Sequence, residues 1–126
     1  MIPDYARTVK DGLVGQGMAA ALEVDDDFRP AVGSPALLVA DDGGPAVLPG
    51  AWLVGASPRR TVLRLTAFAA GRTEARATAV TAAAWVRANR PGIARVEDIS
   101  VPLITRDRKT GAYLASITMP VIVRTA

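Results

Sequence analysis

Neither cysteine nor histidine occurs anywhere in the 126 residues. That double absence removes disulfides, zinc–thiolate and imidazole metal sites, Ser-His-Asp and Cys-His nucleophile pairs, and every histidine acid–base mechanism. Only carboxylate or lysine chemistry would remain, and no enzyme activity is expected. Aromatic residues make up only 5% of the chain and are scattered along it, too sparse for a stacking platform that holds single-stranded nucleic acid. Lysine stands only at Lys10 and Lys109, so arginine carries nearly all the positive charge. No run of about eighteen apolar residues occurs, so no transmembrane helix is expected. The start, Met1-Ile2-Pro3-Asp4-Tyr5-Ala6-Arg7, has neither the basic opening nor the apolar stretch of a secretory signal, and maturation in the cytoplasm is expected.

What is present fits one compact domain over residues 1–126. The length supports one core and is too short for two. Half the residues are hydrophobic and 21% are charged, the balance of an ordinary globular chain. Net charge is +3, and with no histidine to titrate that small excess lifts the pI to about 10.0. Such a charge permits contact with nucleic acid without arguing for it.

Pro3 suits a first helical turn, and Tyr5, Val9 and Leu13 recur at i, i+4, i+8 as a buried stripe. Gly12, Gly15 and Gly17 weaken this helix, which is expected to end near Gly15 to Gly17. A short strand is expected at 21–24, an exposed turn at Asp25-Asp26-Asp27-Phe28-Arg29-Pro30, and irregular chain at 30–35. The run Ala36-Leu37-Leu38-Val39-Ala40 leads into Asp41-Asp42-Gly43-Gly44-Pro45, whose residue types suit a turn between strands. Residues 51–56 are another strand candidate.

The clearest strand of the first half is 60–68, where Leu63, Leu65 and Ala67 share one face and Arg60, Val62, Arg64 and Thr66 the other. A long helix follows over 73–88, stopped by Pro91-Gly92. At about 100° per residue, Ala75, Ala79, Ala82 and Val86 fall in one narrow arc able to lie close on a sheet. Arg72, Arg76, Arg87 and Arg90 form an adjoining stripe. Residues 93–99 read as a strand, 103–111 as a polar, charged loop, and 112–124 as a long strand with one wholly apolar side. Pro120 cannot donate a ladder bond, so that strand is expected to be an edge there, or bulged. The resulting architecture is an α+β single domain: a mostly antiparallel or mixed β-sheet with two helices packed on one face.

Candidate sites are few. Asp25, Asp26 and Asp27 with Asp41 and Asp42 could hold a hard cation, but their spacing matches no calcium loop and solvated turns are expected. Gly12-Leu13-Val14-Gly15-Gln16-Gly17 lacks the preceding strand and glycine order of a phosphate loop, and reads as a helix end. The arginine stripe could meet phosphate, an acidic partner or water; its planar forks suit carboxylates of a neighbouring subunit. Trp85 is either a rim residue of the core or an anchor in a protein–protein contact. Asp107-Arg108-Lys109-Thr110-Gly111 has the form of a hairpin tip that could reach a neighbour. No catalytic, cofactor or metal residue is assigned.

Taken together from 36 to 124, the pattern resembles the tail terminator (tail completion) proteins of long-tailed bacteriophages. Four pieces carry the resemblance. They are the strand and acidic turn at 37–44; the strand-to-helix passage Thr61-Val62-Leu63-Arg64-Leu65-Thr66-Ala67-Phe68-Ala69-Ala70-Gly71-Arg72-Thr73-Glu74-Ala75 into an alanine-rich helix; the strand opening Gly92-Ile93-Ala94-Arg95-Val96; and the charged loop at 106–111 before a strand closing on Val121-Ile122-Val123-Arg124. Ala112 stands where that pattern leads one to expect an arginine, and 49–57 departs from it, which keeps a head–tail connector (stopper) neck protein as an alternative. The resemblance implies a homohexameric ring in the virion, at the joint of tail and neck, assembled in the bacterial host cytoplasm. Its implied partners are the major tail (tube) protein and the head-completion or stopper protein. DNA would pass through the lumen without specific binding, with no cofactor and no membrane. From the residues alone, a nucleic-acid-binding module using Arg72, Arg76, Arg87 and Arg90 is a second reading, and a small aspartate enzyme a third.

Overall fold

A computed structural model describes residues 5–22, 35–43, 59–108 and 111–123. The elements run α1 (Tyr5–Gly15), β1 (Ala19–Ala21), β2 (Ala36–Gly43), β3 (Arg59–Ala69), α2 (Arg72–Asn89), β4 (Ile93–Val96), β5 (Leu103–Arg106) and β6 (Tyr113–Val123). They form the expected α+β unit, with one mixed, curled sheet of six strands. Strands β1, β2, β3, β6 and β4 follow one another across it, and β5 also pairs β6. Only β1 and β2 run parallel; the other neighbours are antiparallel.

The sheet's core face is set by alternation in its two longest strands. Leu63, Leu65 and Ala67 of β3 lie opposite Met119, Ile117 and Ala115 of β6, and all six are buried. Leu37 and Val39 extend that face onto β2. Above it sit both helices, α1 over β1 and β2, and α2 over β3 and β6. Tyr5, Val9 and Leu13 are buried from α1, as the stripe requires. From α2 the buried set is Ala75, Ala79, Ala82, Ala83 and Val86, a face of small side chains that lets the helix lie close on the sheet. One hydrophobic cluster joins all these residues.

Strand β3 and strand β4 both run antiparallel to β6 and flank it, so they are parallel to each other and α2 is the crossover between them. That helix ends at Arg90, held in the left-handed region at φ 49° with its N–H donating to the Val86 carbonyl at 2.7 Å. Glycine is the residue that takes this position at least cost.

Several expectations need correction. Strand β1 lies at Ala19–Ala21, earlier than 21–24. Strand β2 continues through Asp41 and Asp42 to Gly43, where a turn was expected. Both aspartates have cross-strand partners that hold the extended chain: Asp41 accepts from the Thr61 hydroxyl, and Asp42 pairs with Arg64 at 2.8 Å. A bulge at this point takes up the extra residue. Residues 103–111 are not all loop, because Leu103–Arg106 pairs with β6 as β5. The strand expected over 93–99 ends at Val96.

Pro120 explains that early end. Strand β6 is interior to the sheet, so it is no simple edge. Yet the Pro120 carbonyl accepts from Glu97 N–H at 2.8 Å, which places its missing donor on the side away from β3. The ladder with β4 therefore breaks there, and residues 97–102 run along β6 with irregular bonds before β5 resumes. Ser100 stitches this stretch down: its N–H donates to the Thr118 carbonyl at 2.9 Å, and its hydroxyl accepts from Thr118 N–H at 3.0 Å. The expectations at Pro3, 23–34, 51–56 and Arg124 lie outside the described residues.

Candidate interaction surface

The helical layer covers only part of the sheet. Where α2 ends and residues 97–102 pass along β6, a groove of about 540 Å³ opens between them. Its lining is mostly aliphatic, with Val80 and Ala84 from α2, Ile117 beneath, and Ile99, Val101 and Pro102 opposite. Val80 is 44% exposed, Val101 82% and Leu103 68%, so this border of the molecule carries three of the four large exposed aliphatics among the described residues. Val80 also borders a second hollow, lined by Arg72, Arg76 and Thr73, so the two run together along the helix.

The arginine stripe lies along this same border. Arg72, Arg76, Arg87 and Arg90 are all exposed, as expected, and Arg87 lines the apolar groove itself. Among the described residues, none of the four makes an ion pair. Arg90 donates to the Ala94 carbonyl at 3.3 Å and belongs to the helix end more than to the groove. An unpaired guanidinium at the rim of an apolar slot is suited to a carboxylate whose own chain brings apolar side chains.

Trp85 is on the other flank of α2. A Cβ placed on Gly12 would lie 2.5 Å from the tip of its ring, so the indole rests directly on the α1 backbone. Of its two readings, the rim of the core holds: Trp85 seats α1 against α2 and does not join the groove. The requirement for glycine at 12 was hidden in what looked like a helix-weakening residue. Gly12 and Gly15 lie within α1, consistent with a helix end and not a phosphate loop.

The base of the charged tip lies among the described residues. Asp107 N–H donates to the Ala112 carbonyl, and Gly111 N–H to the Asp107 carbonyl, both at 2.8 Å, closing the β5–β6 hairpin. Gly111 has φ 76°, which only glycine adopts without strain. Arg108 is exposed and Asp107 half-buried, while Lys109 lies outside the described residues. Arg106 stacks over Tyr113 with 5.5 Å to the ring centroid, stiffening the base of the tip. The tip and the arginine groove are separate features.

Among the described residues no three acidic side chains gather as a cation site, and Asp41 and Asp42 are engaged with Thr61 and Arg64. Asp25, Asp26 and Asp27 lie outside the described residues. No described helix is long and apolar enough to cross a membrane. The groove is not visible in the sequence because its walls come from α2 and from residues 99–102. The available signal was Val101-Pro102-Leu103, three apolar residues at the point where the stretch read as a polar, charged loop begins.

The class these features define is an α+β domain with an open, arginine-rimmed apolar border. No known protein family, curated protein or solved structure matches the chain.

Proposed function

We propose that the chain is a structural virion protein of the tail terminator type. It forms a ring at the head-proximal end of the tail tube, stops addition of tube subunits and provides the joint to the neck. The observation that carries this reading is the pair of open borders. Among the described residues, one side of the sheet ends at β1, and the opposite side at the broken β4–β5 line beside the apolar groove. Different surfaces on opposite sides of one subunit join head to tail, and such contacts make a ring when the rotation closes.

Mixing the chain with assembled tail tubes tests it. Electron micrographs should show one end of each tube capped and its growth stopped; tubes that keep lengthening in excess protein contradict the reading. Capping of filled heads in place of tubes identifies the stopper alternative. The unpaired, exposed arginines of α2 favour one second reading, nucleic-acid binding. Affinity for a short DNA duplex should then fall steeply between low and moderate salt. Absence of binding at low salt removes it.

A further inference from the structure

The groove has an occupant whose chemistry is written in the chain itself. We infer that the arginine-rimmed groove beside α2 takes residues 23–28 of a second copy of this chain. This rests on the ring reading for its head-to-tail arrangement, and it identifies which surfaces meet.

Charge is the first argument. Glu23-Val24-Asp25-Asp26-Asp27-Phe28 places four carboxylates in five residues, the densest acidic cluster in the sequence. Arg76 and Arg87 stand eleven residues apart on α2, roughly 16 Å along the helix axis at about 1.5 Å per residue. Extended chain from Glu23 to Asp27 covers roughly 13 Å, which matches that spacing within the reach of the arginine side chains. Val24 and Phe28 supply apolar groups for a floor made of Val80, Val101 and Ile117.

Chain length is the second argument, and it selects a second copy over the same one. The acidic segment follows β1, which is the edge of the sheet opposite the groove. Asp26 lies five residues past Ala21, at most roughly 17 Å of fully extended chain. Helices α1 and α2 lie side by side between β1 and the groove, at about 10 Å each, and chain that crossed them would also have to return to Ala36. A neighbour placed with its β1 border against this groove needs no such crossing. Because β1, which leads into the donor segment, and the acceptor groove lie at opposite borders, each subunit gives one and receives one.

The absence of native cysteine makes the contact directly testable. Asp26→Cys in one preparation and Val101→Cys in another, differing in tag length, are mixed and treated with a short bis-maleimide. A mixed dimer is expected, with none when Ala70→Cys replaces Val101→Cys. The double variant D26C/V101C should give a ladder of linked subunits. Arg76→Glu with Arg87→Glu should lower the yield about tenfold, and Asp25→Arg with Asp27→Arg in the donor should restore it. These arginines are exposed, so the reversal leaves folding intact. An intramolecular product alone overturns the inference, because the segment would then reach its own groove. So does cross-linking unaffected by charge reversal. So does competition by a short DNA duplex without any mixed dimer, which assigns the groove to phosphate. Capped tubes without a D26C–V101C link sink this contact and leave the ring reading standing. A link without capped tubes does the reverse.

Discussion

The two flanks of α2 are built from similar residues and do opposite things. Toward α1, the tip of the Trp85 ring rests on Gly12 and packs against the core. Toward residues 99–102, Val80 and Val101 stand apart over an open groove, with Arg76 and Arg87 unpaired at its rim. The first flank gains stability from apolar area already removed from water, at about 25 cal/mol per Å². The second leaves the same kind of area wet, and that costs the isolated chain nothing it has not already spent. Exposed aliphatic surface beside unpaired guanidinium gains free energy only when a partner covers it. One flank therefore serves stability, and the other is left open for the recognition proposed above.

Substitutions sharpen this contrast by dividing stability from assembly. Ile117 lies beneath the groove but is almost wholly buried, so it belongs to the stability side. Ile117→Ala should cost about 2–5 kcal/mol in denaturant unfolding, because the cavity left among packed strands does not collapse. Gly12→Ala comes next. Its methyl would overlap the Trp85 ring, and an expected loss of about 1–3 kcal/mol follows from overpacking, visible as a lower midpoint with unchanged m-value. The double variant G12A/W85A should recover part of that loss, since the clash requires the indole. Smallest in stability is Val101→Ser, which should move unfolding by less than about 0.5 kcal/mol because the side chain is already exposed. Its effect should appear instead as weakened self-association by sedimentation velocity. A V101S chain that unfolds more easily yet assembles normally would erase the distinction between flanks.

Much of this was legible before any coordinates. The β3 alternation at Leu63, Leu65 and Ala67 and the alanine arc of α2 belong to long elements, where a repeating pattern outweighs local noise. The arginine stripe was legible for the same reason. Short elements were not. Leu103–Arg106 is four residues with no repeat, and its strand character comes from pairing with β6 rather than from itself. Asp41 and Asp42 look like turn residues, and only Thr61 and Arg64 across the ladder keep them extended. The missing donor of Pro120 was legible, but the edge or bulge expected there is instead a gap between β4 and β5 on one side of an interior strand. The groove itself lies between residues about twenty apart in the chain, and no window of sequence contains it.

The most direct test of the central claim, that this domain works by joining copies of itself border to border, is negative-stain imaging with growing tail tubes. Wild-type chain should give closed rings of uniform diameter seated on one tube end, while R76E/R87E gives bare, lengthening tubes. Uncapped tubes with wild-type chain, or rings that form equally well after both arginines are reversed, would contradict it.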